Sequence, residues 1–162
     1  MFQLPFDQTK PWMARVSLDN AWLSGFIDAE GCFYAQCRDQ IGRKTFLDQK
    51  MTLTQKDVLG GEALIFQKIL LLFQSNAKVS TFKNKNIDSI YIRIEFGSLK
   101  SHELISNYLF KYRLRTVKYI SFHRWWRVYL YRVEGWHLSE KSIKKMRRLV
   151  KAINVHRKES YL

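Results

Sequence analysis

Two carboxylates close a short apolar run: Asp28 and Glu30 follow Trp22, Leu23, Phe26 and Ile27 and precede Gly31. The apolar spacing predicts a helix over 17–31, capped at its start by Ser17 or Asp19 and closed by Gly31 in a left-handed conformation. Both acids then fall in the last turn, where unpaired carbonyls and the helix dipole disfavour negative charge by about 0.3–1 kcal/mol each. Stability alone would put Lys or Arg there. Carboxylates and free carbonyls converging on one point suit a hard divalent cation, which takes oxygen ligands and offsets their repulsion. Glu30 is therefore the first metal candidate, whereas Asp28 reads as a structural acid that hydrogen-bonds backbone across an interface.

The interface is suggested by the same helix. Ala21, Gly25 and Ala29 recur every four residues, a flat stripe along which a second helix backbone could pack closely. If that helix comes from a second copy, a two-fold axis brings both Glu30 side chains together, with Ala21, Trp22, Gly25, Asp28 and Ala29 in the contact.

The elements that position these residues follow from periodicity. From Phe33 the period drops to two, Phe33, Ala35 and Cys37 alternating with Tyr34, Gln36 and Arg38, and a second strand sets Asp48, Lys50, Thr52 and Thr54 against Leu47, Met51 and Leu53. Ala63 to Phe73 predicts a buried helix after Gly60-Gly61. A second hairpin follows from 77–83 and 89–96 about a turn at Asn84–Asn86, with Ile90, Ile92, Ile94 and Phe96 on one face. Helices are expected over 98–109, 117–133 and, opened by Ser139, 138–153. The order is αββαββααα, an α+β fold. Residues 1–16 read as an arm, 17–153 as one domain and 154–162 as a frayed tail.

Against these elements, Leu23-Ser24-Gly25-Phe26-Ile27-Asp28-Ala29-Glu30-Gly31 resembles the signature of the LAGLIDADG homing endonucleases. Leu53-Thr54-Gln55-Lys56 and Leu114-Arg115-Thr116-Val117-Lys118 extend the resemblance, the latter being similar to the family's PLxTxK stretch. Arg113 stands where the family usually has proline, and Val117 where a basic or polar residue is frequent. The resemblance implies an αββαββα unit with extra C-terminal helices, whose curved four-stranded antiparallel sheet sits in the DNA major groove and whose signature helices form the interface. By position, Glu30 would bind Mg2+, with Mn2+ as a substitute, and the Ala29 carbonyl would assist. Gln55 would position the attacking water and Lys118 would stabilise the phosphorane charge. Phosphodiester hydrolysis needs those services: a metal-activated water and neutralisation of the non-bridging oxygens.

The polar strand faces nominate a DNA-reading surface of Tyr34, Gln36, Arg38, Asp48, Lys50, Thr52, Lys78, Ser80, Tyr91 and Arg93, side chains able to meet base edges and phosphates. Charge agrees with a polyanionic partner. The 162 residues carry a formal net charge of +14, and residues 110–162 hold 15 Lys or Arg against 3 Asp or Glu. The longest apolar stretch is broken by Gln67 and Lys68, so no segment spans a bilayer. Cys32 and Cys37 lack zinc or disulfide spacing, and His102, His123, His137 and His156 lack ligand spacing. Trp125, Trp126, Tyr129 and Trp136 read as packing residues.

The expected activity is thus a site-specific, Mg2+-dependent DNA endonuclease making double-strand breaks at a long site. It would act as a homodimer or beside a different LAGLIDADG half-chain, the chain resembling the second half of two-motif members. The family places it in a mitochondrion or chloroplast, encoded in an intron, and no targeting signal is visible within Met1–Met13. The alternative is an RNA-binding intron maturase or a structural subunit of an organellar ribonucleoprotein built on the same fold.

Overall fold

A computed structural model describes residues 15–40, 43–58, 60–83, 89–135 and 140–155. The first helix, α1 (Trp22–Glu30), runs without a loop into β1 (Gly31–Gln40), which pairs antiparallel with β2 (Arg43–Lys56). Then follow α2 (Glu62–Leu72), the hairpin of β3 (Ser80–Lys83) and β4 (Ile90–Phe96), and the helices α3 (Leu99–Lys111), α4 (Lys118–Val133) and α5 (Glu140–Ala152). The strand order is β1-β2-β4-β3, all antiparallel, so β2 is central and pairs Met51 with Phe96 and Lys56 with Tyr91. The α+β architecture and the four-stranded sheet are those expected.

Three local expectations are corrected. The first helix starts at Trp22, not Ser17: the Ser17 hydroxyl accepts from the Asp19 amide at 3.0 Å, tying these residues into a turn, and Asn20 Oδ1 takes the Trp22 amide at 2.9 Å. Gly31 is extended, with φ −78° and ψ 146°, because helix and strand are continuous and no reversal is needed. What excludes a side chain there is space, since a β-carbon would lie 2.5 Å from the Ile27 carbonyl oxygen. On β4, Ile92, Ile94 and Phe96 are fully buried but Ile90, at the strand's far end, is half exposed.

One face of the sheet packs on the helices. Phe33, Leu47, Met51, Leu53, Ile92, Ile94 and Phe96 meet Leu23 and Ile27 of α1, Phe66 and Ile69 of α2 and Phe122 and Trp125 of α4 in a common core. Burial of Trp125 accords with its expected packing role. Two polar groups lie inside that layer and were not anticipated. Gln49 donates to the Trp125 carbonyl at 2.7 Å, and Trp125 Nε1 returns a bond to the Lys50 carbonyl at 3.0 Å, clamping α4 to β2. His102, fully buried, donates from Nε2 to the Phe96 carbonyl at 2.8 Å, while Arg132 reaches Gln49 Oε1 at 3.3 Å and His102 Nδ1 at 3.4 Å. Gln49 and His102 are thereby both partnered, as a low-dielectric interior requires of a buried polar group.

At the chain's margins, Val16 is in the core and Asn154 Nδ2 donates to the Phe33 carbonyl at 2.9 Å. Residues 1–14 of the expected arm, 156–162 of the expected tail, the Asn84–Asn86 turn, Ser139, Trp136 and His137 lie outside the described residues. Among the described residues no helix is long and apolar enough to cross a membrane.

Candidate functional site

The first helix is held at both ends. At its start, the Tyr108 hydroxyl donates to the Asn20 carbonyl at 2.8 Å and accepts the Ser24 amide at 2.9 Å. Burial pushes that phenol up to about 12, so it keeps its proton. At the other end, Asp28 accepts the Arg115 amide at 2.8 Å, the Thr116 amide at 3.1 Å and the Thr116 hydroxyl at 2.5 Å. Asp28 is the expected structural acid on backbone amides, but here the amides belong to its own chain, in the loop that opens α4.

That loop delivers Lys118. Its Nζ donates to the Ala29 carbonyl at 2.7 Å, one of the free carbonyls at the helix end. From the sheet side, Gln55 stands beyond the last core position of β2. In the amide orientation that satisfies both groups, its Nε2 is 3.3 Å from each Glu30 carboxylate oxygen. Glu30 and Ala29 are themselves exposed. A carboxylate, an amide, an ammonium and a carbonyl from three separate stretches of sequence therefore meet at one accessible point.

The donor set fits a hard cation in part. Glu30 offers two anionic oxygens and Ala29 a carbonyl oxygen, the donor types Mg2+ or Ca2+ takes. A single chain supplies too few for a closed site, and among the described residues no cluster of three His, Cys, Asp or Glu could hold a metal alone. The Ala29 oxygen accepts from Lys118 on one lone pair and keeps a second.

Beside this point opens the other face of the sheet. The register sets Tyr34 against Lys50, Gln36 against Asp48, Thr54 against Arg93, Lys56 against Tyr91, and Arg93 against Ser80. Nine of the ten expected reading residues thus share one surface. Lys78 is exposed but precedes β3, and Thr52, flanked on both sides in the central strand, is only 7% exposed. The charged members form a chain across three strands: Arg38 meets Asp48 at 3.5 Å, Asp48 meets Lys50 at 3.9 Å, Lys50 meets Glu95 at 3.1 Å and Glu95 meets Arg93 at 3.8 Å. Gln36 Oε1 accepts from both Tyr34 and Arg38, which fixes its amide orientation. Phe82 stacks on Tyr91 at 5.6 Å with the Arg93 guanidinium over it. Thr54 and Glu95, expected on the polar faces but not among the reading residues, belong to this surface, as do Lys56 and Phe82, which were missed although the same period-two alternation runs through them.

The small-residue stripe is open. Ala21, Gly25 and Ala29 are exposed, and no heavy atom lies within 4 Å of where a Gly25 β-carbon would be. Ala21, Ser24, Gly25 and Asp28 form one wall of a cleft of about 310 Å3 whose other wall is Lys111, Tyr112, Arg113 and Arg115.

The order helix, hairpin, helix, hairpin, helix is shared with solved homing endonuclease structures. Superposition bears this out: the chain matches the homing endonuclease I-TnaI with a TM-score of 0.69 at 19% identity, over 86% of this chain and 88% of that one. It matches the meganuclease I-SmaMI bound to uncleaveable DNA with a TM-score of 0.68 at 15% identity, over 82% of this chain and 44% of that one. A family model described as LAGLIDADG endonuclease matches residues 23–129, and the chain belongs to that family. It is 28% identical over 133 residues to an uncharacterized cox1 intron-2 37.2 kDa protein of Schizosaccharomyces pombe, covering 82% of this chain and 37% of that one. It is 31% identical over 127 residues to a probable intron-encoded endonuclease 4 of Neurospora crassa, covering 71% of this chain and 19% of that one. The chain thus spans well under half the length of these curated relatives.

Proposed function

We propose that this chain is one half of a site-specific DNA endonuclease that hydrolyses both strands of a long target. The observation that carries the reading is the meeting of Glu30, Gln55 and Lys118 at the exposed end of α1, at the rim of a polar sheet face. In this reading Tyr34, Gln36, Arg38, Asp48, Lys50, Thr52, Ser80, Tyr91 and Arg93 lie in the major groove, with Lys78 beside them. Their interstrand ion pairs open to exchange partners with base edges and phosphates.

Chemistry is divided among the three site residues. Glu30 would hold the cation, with the second lone pair of the Ala29 carbonyl contributing, and when bound an ion such as Mg2+ or Mn2+ supplies Lewis-acid neutralisation of the phosphate. Gln55, hydrogen-bonded to Glu30, fixes the carboxylate and offers its remaining amide valences to orient a water for in-line attack. Lys118, poised 2.7 Å from the helix-end carbonyl, supplies positive charge for the phosphorane oxygens as it moves off that carbonyl.

These 162 residues supply one such helix end, and two cuts need a second. The open stripe about Gly25 is where the second half docks, either a second copy or a complementary LAGLIDADG half. Relatives named for introns support an intron-encoded protein working in an organelle.

The test is selection of cleaved duplexes from a randomised library in Mg2+, with Ca2+ as the non-catalytic control and sedimentation alongside. Glu30→Gln keeps the shape and removes the anionic oxygen, so it should abolish cleavage and leave specific binding intact. Unchanged cutting by that variant would remove Glu30 from the mechanism.

A further inference from the structure

The charges on the open sheet face do not have the composition of a phosphate grip. Of those that link across β1, β2 and β4, Arg38, Lys50 and Arg93 are cations, but Asp48 and Glu95 are carboxylates. A carboxylate on a face that only held phosphates would weaken the field that attracts them. Glu95 is the more telling of the two. The Asp48 side chain is 16% exposed, whereas that of Glu95 is 41% exposed, on a strand that lies inside the sheet between β2 and β3. Its two oxygens face different cations. Lys50 Nζ donates to Oε2 at 3.1 Å, while Oε1 lies 3.8 Å from Arg93 Nε. The second separation is longer than a hydrogen bond, so Oε1 keeps its lone pairs for another donor.

Arg93 is held in place by packing. The register sets it opposite Thr54 of β2 and Ser80 of β3, and the Ser80 hydroxyl donates to its carbonyl at 3.1 Å. Its guanidinium stands over the Phe82 ring, 6.0 Å from the centroid, and Phe82 in turn stacks on Tyr91 at 5.6 Å. Arg93 Nε is enclosed and has no hydrogen-bond partner among the described residues, so the donors left for a ligand are the Nη amines. A planar fork steadied in this way suits a pair of acceptors side by side better than a single diffuse charge.

A double donor and an acceptor thus stand next to each other on the face. In the major groove a G·C pair presents the reverse, the N7 and O6 acceptors of guanine followed by the N4 donor of cytosine, and no other base pair shows that order. Guanine O6 and cytosine N4 are themselves hydrogen-bonded, about 3 Å apart, so side-chain heads 3.8 Å apart fit the two halves of one pair. We infer that Arg93 and Glu95 together read a single G·C pair of the target, Arg93 donating to guanine N7 and O6 and Glu95 accepting from cytosine N4. Glu95 is then a residue of target choice and not a spacer between cations. The inference rests on the proposed reading of the sheet as the DNA face.

The experiment selects bound duplexes from a randomised library in Ca2+, so that no strand is cut, using wild type, Glu95→Ala and Arg93→Ala. Wild-type sites should share a G·C pair at one position, and both variants should lose the preference at that same position while keeping the others. Wild type should bind a duplex carrying A·T there more weakly by about tenfold or more, and neither variant should distinguish the two duplexes. Replacing the guanine by 7-deazaguanine, which removes the N7 acceptor, should weaken wild type and leave Arg93→Ala unaffected. Glu95→Ala that kept the preference, bound every duplex more tightly and showed a steeper salt dependence would make Glu95 a charge spacer and overturn the inference. Variants that altered two different positions would also overturn it. Wild type that bound no duplex would overturn the sheet reading itself, and the inference with it.

Discussion

Replacing Asp28 by Ala tests how the site is assembled. Its carboxylate holds two amides and one hydroxyl of the loop that begins α4, at 2.8, 3.1 and 2.5 Å. Hydrogen bonds to a charged group contribute about 1.5–3 kcal/mol when desolvated, but this side chain is part-exposed. About 1 kcal/mol for each amide and little for the hydroxyl gives a loss of about 2 kcal/mol. The loop leads directly into Lys118, so the same energy that steadies it keeps the ammonium over the helix end, and about 2 kcal/mol corresponds to roughly 30-fold in a rate. Asn at this position keeps one oxygen for the amides and offers its NH2 to Thr116, and should fall between Ala and wild type. The assay pairs urea unfolding midpoints with single-turnover cleavage of the selected duplex. Asp28→Ala should unfold earlier and cut about 30-fold more slowly, with DNA affinity nearly unchanged. Wild-type midpoint and rate in that variant would refute the latch. If Asn were as inactive as Ala with normal stability, Asp28 would be a metal ligand instead.

Three further outcomes are expected. Burial holds the His102 imidazole down at about 4, against 6.5 when unfolded. Protons therefore prefer the unfolded chain: stability is complete above pH 6.5, falls by about 3 kcal/mol as pH drops to about 4, and levels off below. Urea midpoints across that range should show the loss in wild type and not in His102→Gln. Gly31→Ala should cost about 2 kcal/mol or more in the same assay, because its β-carbon meets the Ile27 carbonyl, which is backbone and cannot move aside. Gly25→Leu should leave the midpoint unchanged, since the position opens on empty space, yet abolish the proposed dimerisation when wild type and variant are compared by sedimentation; a persisting dimer would place the interface elsewhere.

The sequence made the strands and the long helices legible because their burial alternates at two distinct periods. It also made Glu30 legible, because an acid at a helix C-terminus works against the dipole and so asks for a reason. Gly31 misled, since a glycine after a helix has two physical explanations, a left-handed turn or a lack of room, and only the three-dimensional path distinguishes them. Gln49 and His102 were invisible because a polar residue in an apolar register reveals its partners only when α3 and α4 are laid against the sheet. The convergence of Gln55 and Lys118 on one helix end was suggested by resemblance alone. No local pattern ties residues 25 and 89 positions away to Glu30 and Ala29.

The sheet sorts its side chains by parity. Odd positions of β2, from Leu47 through Gln49 and Met51 to Gln55, carry the core and end at the site, while even positions carry Asp48, Lys50, Thr52 and Thr54 on the open face. Substitution at an even position changes what the surface can recognise and leaves the hydrophobic contacts and the Glu30 environment in place. If this face reads the target, as proposed, single replacements on it alter recognition while the core and the Glu30 site persist.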